Sequence, residues 1–446
     1  MWNKLNNSMI MRKNHLAVLL LALSLPLSAA REGAVSPLQF RGTDTQRIQK
    51  AVDKAAVGAG EVRIPRKADG PWMIDEAIRL PSGVTVVIDD CTLQLSDRCR
   101  DNLFRSDNVG IGIGHPAWNR DIALIGLGRA VLRGADNPRA TGDGLRSLAL
   151  DPAPNSVGHR SSYGTDAGVE GEKQTSDWRG FLVLMAYVDG LTVRGLHFEY
   201  AHTWALTCEK VHHAELRDLD FYCPQYREVA GRRVHTFNND GIDLREGCKY
   251  FEISHIRGVT GDDLIALSAL DMGEKYHRNG DVESFQVTSC AHNGPEDDIE
   301  HVFISDVKGN YAAIALRASD RASIHHVYID GVTVCKDPLV TTPYKGCPYA
   351  LKVGNRAYGQ PGADLTIHDI YARNITGDGR RLIEVTSPVQ DCVFMNAVYT
   401  GVVDTTAVWF SDAARERSVR VRTVNCLWCP SAADDSVIPA LRSRRP

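Results

Sequence analysis

Two short segments hold most of the chemistry that this chain offers. One is Asn238-Asn239-Asp240-Gly241-Ile242-Asp243-Leu244, and the other is Gly261-Asp262-Asp263-Leu264-Ile265-Ala266-Leu267. Asp240 and Asp263 are 23 positions apart. If 23 residues make one turn of a stacked coil, the two stand side by side, one strand spacing of about 4.8 Å apart. In a regular strand Asp262 and Asp263 would point to opposite faces, but Gly261 permits a bend that turns both outward. Three carboxylates on one patch repel one another, so at least one holds its proton to higher pH. A protonated carboxyl beside an ionised one is the acid/base pair that glycosidic cleavage uses. Taken singly, each segment also reads as structure, because Asn-Asp-Gly makes turns and paired aspartates bind calcium or face water. The shared register favours a catalytic group of Asp240, Asp262 and Asp263.

Such a site needs a coil of the right period, and the chain repeats one phrase at about that spacing. A large apolar residue, two residues and a second apolar residue occur at Val193–Leu196, Leu216–Leu219, Ile253–Ile256, Ile304–Val307, Ile329–Val332 and Ile367–Ile370. The first two copies are 23 positions apart, and others are spaced near 25 or wider. Short strands repeating every 20–50 residues signify a stacked solenoid in which each coil hides little alone. The fold predicted is all-β, a single-stranded right-handed parallel β-helix. Asn-Gly and Asp-Gly hairpin turns are too few for a β-sandwich. A helix beginning at Thr43 or Asp44, with Ile48, Ala51, Val52 and Ala55 on one face, is placed to cap the first coil. The predicted division is a leader over 1–30, a cap region over 31–60, the β-helix over 61–430 and a tail over 431–446. Polar stretches 135–180, 222–237, 271–299 and 336–363 read as loops on the rod.

Composition bounds the partners and the compartment. The 446 residues carry 51 Lys+Arg and 55 Asp+Glu, for a formal charge of −4. That mild acidity argues against a nucleic-acid binder, which usually presents a basic face. Arg12 and Lys13 precede an uncharged run, Leu16–Leu27, and then Ser28-Ala29-Ala30. A basic start, a short apolar run and small residues make a secretory signal, so a secreted or periplasmic location is expected. The run is too short to span a bilayer, which needs about 20 apolar residues, and no later stretch is long enough. The 11 cysteines read two ways. Cys91 with Cys99, Cys335 with Cys347, and Cys426 with Cys429 are close enough to bridge locally, or the thiols are simply buried. No Cys/His cluster has zinc spacing, so neither a metal nor a cofactor is expected.

The segment from Ala201-His202-Thr203-Trp204-Ala205-Leu206 through Gly261–Leu267 resembles glycoside hydrolase family 28, the polygalacturonase family. That family places a Trp-containing coil, then Asn-Thr-Asp-Gly, then Gly-Asp-Asp before an Ile-Ala step, in this order. The resemblance covers roughly residues 40–335. It implies an inverting hydrolase of a pectin-like or other acidic polysaccharide. Asp262 would be the general acid, while Asp240 and Asp263 would hold and activate the attacking water. The family's Gly-His-Gly has its nearest match in Cys290-Ala291-His292-Asn293-Gly294, which makes His292 the substrate-binding candidate. Its Arg-Ile-Lys, whose cations grip the sugar carboxylate, reads Ala315-Leu316-Arg317 here. Alternation puts Ala315 and Arg317 on one face, so one cation is absent and Arg317 remains to hold a carboxylate in a two-pronged contact. A linkage or side chain other than plain polygalacturonate therefore fits better. His202, Trp204 and Arg245 are further cleft candidates. A Trp face stacks well on a sugar, and a buried Trp is equally expected. The partner expected is a polysaccharide or oligosaccharide met by a monomer. Two alternatives share the rod. One is a polysaccharide lyase, with calcium held by Asp262, Asp263, Asp297 and Asp298. The other is a non-catalytic glycan-binding protein.

Overall fold

The computed structural model describes residues 33–99, 101–110, 113, 116–136, 146–147, 173–174, 178–201, 203–224, 226–229, 231–235, 239–269, 294–310, 312–318, 322–334, 349–354, 364–401 and 406–429. The chain divides into two units, Met1–Ala34 and Val35–Pro446, and every element below belongs to the second. The leader (1–30), the tail (431–446) and most of the stretch 135–180 lie outside the described residues.

The first helix, α1 (Asp44–Ala56), begins with a reciprocal cap: the Thr43 side chain accepts from the Gln46 backbone, and the Gln46 side chain accepts from the Thr43 backbone. This satisfies two of the donors that a helix start leaves open. Ile48, Ala51, Val52 and Ala55 are buried as their spacing predicts. They face Glu61–Pro65, Trp72–Ile74 and Ile78–Leu80 and so close the first coil.

Twenty-two described strands then join one sheet whose ladders are all parallel, a right-handed parallel β-helix. Some strands run far longer than the short ones expected, with 17 residues in Val183–Glu199 and 18 in Leu206–Cys223. They are bent rather than straight. Gly195, Asp218, His255, Asp306, Gly331 and Asn374 fall at the same place in successive coils, all with φ between 51° and 84°. Gly, Asp, Asn and His are the types that tolerate this left-handed conformation. The repeated sequence phrase is this bend, with its outer apolar residues turned inward. Val193, Leu216, Ile253, Ile304 and Ile329 stack in register and are at most 1% exposed.

The sixth copy is a correction. Ile367–Ile370 does not stack on Ile329–Val332 but on Ile324–Val327, one bend earlier around the coil. Ala372–Ile375 takes the expected place, and the small Ala372 hid it. Two of the three local cysteine bridges are a second correction. Cys91, Cys426 and Cys429 carry free thiols, so Cys91–Cys99 and Cys426–Cys429 are not formed. Cys91, Cys208, Cys223, Cys248 and Cys392 are buried in the coil core, where thiols pack as small apolar side chains. Cys290, Cys335 and Cys347 lie outside the described residues. No described helix is long and apolar enough to cross a membrane.

Candidate active site

The strands Ile242–Leu244, Asp263–Ala269, Ala312–Ala318 and Leu351–Val353 lie side by side in successive coils. Their inward rows are apolar throughout: Ile242, Ile265, Ile314 and Leu351 in one, Leu244, Leu267, Leu316 and Val353 in the other. Between them the outward row reads Thr207, Asp243, Ala266, Ala315, Lys352.

Strict alternation would send Asp263 inward with Ile265. It does not, because the coil turns a corner there. Leu264 and Ile265 are consecutive and both lie in the core, as do Ala205 with Leu206, Ala313 with Ile314, and Ala350 with Leu351. The doubled inward step flips the phase, and residues before the corner face outward again. The Leu264 side chain fits because Gly258 lies beside it: a Cβ at Gly258 would come 2.3 Å from Leu264 Cδ1. Gly241 is glycine for a related reason, since its Cβ would lie 2.5 Å from the Leu264 carbonyl oxygen. The Asn-Asp-Gly segment is thus a close crossing of coils rather than a tight turn.

This corner brings four carboxylates together. Gly241 N–H donates to the Asp263 carbonyl at 3.0 Å, which sets Asp240 and Asp263 on neighbouring coils. Asp263 is fully buried and accepts from Arg317 Nη2 and from the Tyr349 hydroxyl, the latter at 2.7 Å. Tyr349 reaches it across Ala312, and these two with Ala315 form an apolar cluster separate from the core. Asp262 sits in the bend before the strand and stays partly exposed. Burial and the adjacent Asp263 push its carboxyl up to about 7, against the pull of Arg317 and Lys352. Burial, followed by repulsion from Asp243, Asp262 and Asp263, holds Asp240 well above the usual carboxylate range. Asp243 is raised by burial too, opposed by the Arg245 guanidinium. Among the described residues, Asp240 Oδ1 and Asp243 Oδ2 are buried with no hydrogen-bond partner. Such groups are costly to bury, and they gather where chemistry is done.

The other expected site residues fare differently. Arg317 is in place, but its Nη2 donates to Asp263, so the contact expected with a substrate carboxylate is made with a carboxylate of the chain itself. The cation that faces the row is Lys352, beside Ala315 on the next coil, with its Nζ 5.4 Å from the Tyr349 ring centre. Trp204 is a second correction. It is 7% exposed, stacked on Phe181 at 4.5 Å, with the Arg245 guanidinium 5.0 Å from its ring centre. It braces the corner and offers little surface to a sugar. Arg245 is likewise buried, beside Trp204 and Asp243. His202 and His292 lie outside the described residues. Sequence reasoning missed Asp243, Tyr349 and Lys352. Asp243 was within the quoted motif, whereas Tyr349 and Lys352 carry no motif signal at all. Asp297 and Asp298, offered as calcium ligands for the lyase alternative, are engaged elsewhere: Asp297 pairs with Lys210 and Asp298 accepts from Ser323 N–H. No group of three or more His, Cys, Asp or Glu among the described residues is arranged to hold a metal ion.

No protein-family model matches the sequence, and no curated protein does. Solved structures do match. The chain is similar to the tailspike protein of E. coli bacteriophage HK620 with a TM-score of 0.54 and 13% identity, over 88% of this chain and 65% of that one. It is also similar to an exopolygalacturonase from Thermotoga maritima (TM-score 0.48, 13% identity, 89% and 92% covered) and to an endo-xylogalacturonan hydrolase from Aspergillus tubingensis (0.49, 13%, 89% and 92%). What the chain shares with the tailspike at this identity is a fold, the parallel β-helix.

Proposed function

We propose that this protein is an inverting glycoside hydrolase of an acidic polysaccharide. The observation that carries the reading is the contrast between two adjacent carboxyls. Asp262 is partly exposed with its pKa raised to about 7, while Asp263 is buried as an acceptor from Arg317 and Tyr349. Protonated Asp262 gives its proton to the glycosidic oxygen as the bond from C1 to that oxygen breaks. Water attacks C1 from the opposite face, and its proton passes to Asp263, with Asp240 helping to hold that water. An inverting pair stands about 6.5–9.5 Å apart to admit the water. Arg317 and Tyr349 fix Asp263 in its acceptor role, so the base is oriented before substrate arrives. Asp243, buried with Arg245 near enough to lower its pKa, adds a further carboxyl to the group.

Lys352 supports the acidic substrate. Its ammonium is close enough to lower the pKa of Asp262, so a uronate or similar anion bound there would sit beside the acid. The basic and apolar run before Ala30 supports a secreted or periplasmic setting for this activity, since it reads as a secretory signal.

The test is Asp262→Asn against a panel of acidic polysaccharides, with reducing ends and anomers followed by NMR. Loss of a general acid predicts a fall in kcat of about 10²–10⁴-fold, with the β-anomer/α-anomer ratio of the residual product showing inversion and the thermal midpoint not lowered. A variant with undiminished turnover would sink the assignment. Products absorbing as an enone would indicate a lyase instead.

A further inference from the structure

On strands other than those of the carboxylates, aromatic rings stack along one outer face of the coils: Phe303 on Tyr328 on Tyr371, and Tyr250 on His301. Stacking covers the ring faces and leaves their rims open. Tyr250 is 47% exposed, Phe303 54% and Tyr371 39%. An exposed aromatic patch rimmed by charge is the mark of a protein contact surface.

Six successive coils build this face, and three outward columns run along it. The middle column reads Glu252, Phe303, Tyr328, Tyr371, Val393, Arg422, each paired in register with the next. At the bend before it stand Tyr250, His301, His326, Asp369, Asp391 and Arg420, all with φ between 52° and 62°. Each of these follows a residue paired to the neighbouring coil, so they too share a column. After the middle column come Ser254, Ser305, Asp330, Arg373, Met395 and Val424, again in register.

Each column complements itself when read backwards. Consider a two-fold axis lying in the face, along the strand direction, between Tyr328 and Tyr371. It reverses the second rod and sets the first residue of a column against the sixth. In the middle column Glu252 then meets the partner's Arg422, Phe303 the partner's Val393, and Tyr328 the partner's Tyr371. Glu252 and Arg422 are exposed and enter no ion pair among the described residues. In the bend column Tyr250 meets the partner's Arg420, a cation against a ring. His301 and His326 meet the partner's Asp391 and the partner's Asp369, and in the third column Asp330 meets the partner's Arg373. No like charges face each other. Half a coil in either direction destroys the match. Centred on Tyr328, the axis sets Asp330 against the partner's Asp330; centred on Tyr371, it sets Arg373 against the partner's Arg373. Such clashes select one register.

We propose that this face joins two copies of the chain, antiparallel and isologous. Six coils at about 4.8 Å by five residues at about 3.3 Å make a face of about 29 by 16 Å. The pair therefore covers on the order of 1,000 Å², the lower bound for a specific interface. A weak, salt-sensitive dimer follows, formed at micromolar concentration or above. The proposal does not depend on the hydrolase reading, because none of its strands carries the carboxylates.

The test is sedimentation velocity on the full chain over a range of about 1–300 μM at low salt. Monomer should give way to dimer as concentration rises. Arg422→Glu sets acid against acid and Glu252→Arg sets cation against cation, so each should weaken association about tenfold or more. The double variant, and an equal mixture of the two single variants, should both recover it, because opposite charges meet again. Phe303→Ser should weaken it about tenfold or more. Circular dichroism confirms that each variant is folded. A chain monomeric throughout, which would leave the face to a different partner, would overturn the proposal. So would an association that these single variants leave unmoved, or one that the mixture fails to recover.

Discussion

Two faces of the same rod obey the same register and use it in opposite ways. On one, like stacks on like. His213, Tyr250 and His301 lie ring on ring at 5.0 and 5.1 Å, and Phe303, Tyr328 and Tyr371 at 4.7 and 5.2 Å. Each ring covers its neighbour, so the ladder satisfies itself and adds to stability. On the carboxylate face, register sets unlike residues together: Asp243 beside Ala266, Ala315 beside Lys352, Asp263 beside Ala312 with Tyr349 beyond. Aspartates cannot stack on themselves, so repulsion and burial remain unsatisfied until an arginine, a tyrosine or a substrate answers them. A parallel β-helix therefore shows its working face where the ladder stops repeating.

The sharpest way to break this contrast is Arg317→Ala. Removing one partner of a buried pair strands the other, at a cost of about 3–5 kcal/mol, because Asp263 is fully buried. The expected result is a large fall in denaturation midpoint together with loss of turnover, measured by urea unfolding and reducing-end assay. Lys352→Ala comes next. It should leave the fold intact and raise KM for acidic substrates about tenfold or more, as losing a charge-assisted contact implies, while affinity for a neutral analogue stays constant.

The pH dependence follows in size. The folded pKa of Asp262 is raised, to about 7 from the usual 3.8. Its contribution to stability is therefore whole below the unfolded value and is lost as pH rises through the folded one. The thermal midpoint should be higher at pH 5 than at pH 8, and kcat should fall over the same rise as the acid form disappears. Asp262→Asn should narrow the difference in midpoint. A steeper slope in that variant would refute the assignment. The smallest effect is expected on the ladder face. Tyr328→Ala removes the middle ring of three, at a cost of about 0.5–1.5 kcal/mol beyond its buried area, with kcat/KM unchanged.

Much of the rod was legible in the sequence because its signals are local. The Thr43–Gln46 cap, the apolar face of α1 and the bend phrase each depend on residues within a turn or a few positions of one another. The nearness of Asp240 and Asp263 was legible for the same reason, since only one coil of 23 residues separates them. Three readings failed where that locality ended. Ile367–Ile370 matched the phrase yet belongs to a different bend, because two bends of each coil share the pattern. Trp204 stacks on Phe181 and Arg317 donates to Asp263, contacts with residues far along the chain that no local pattern announces.

The residue order alone determined the coil, its apolar interior and the presence of paired aspartates, since these follow from periodicity and side-chain size. Only the tertiary structure decided the company those aspartates keep. Tyr349 lies 86 positions from Asp263 and Arg317 54, and the loops between coils differ in length. No fixed period could therefore predict which side chains share a row. The corner that turns Asp263 outward also breaks alternation, and it is set by Leu264 filling a space that Gly258 leaves on its own coil. Register is a property of stacked backbones, and it becomes definite only when the coils have packed.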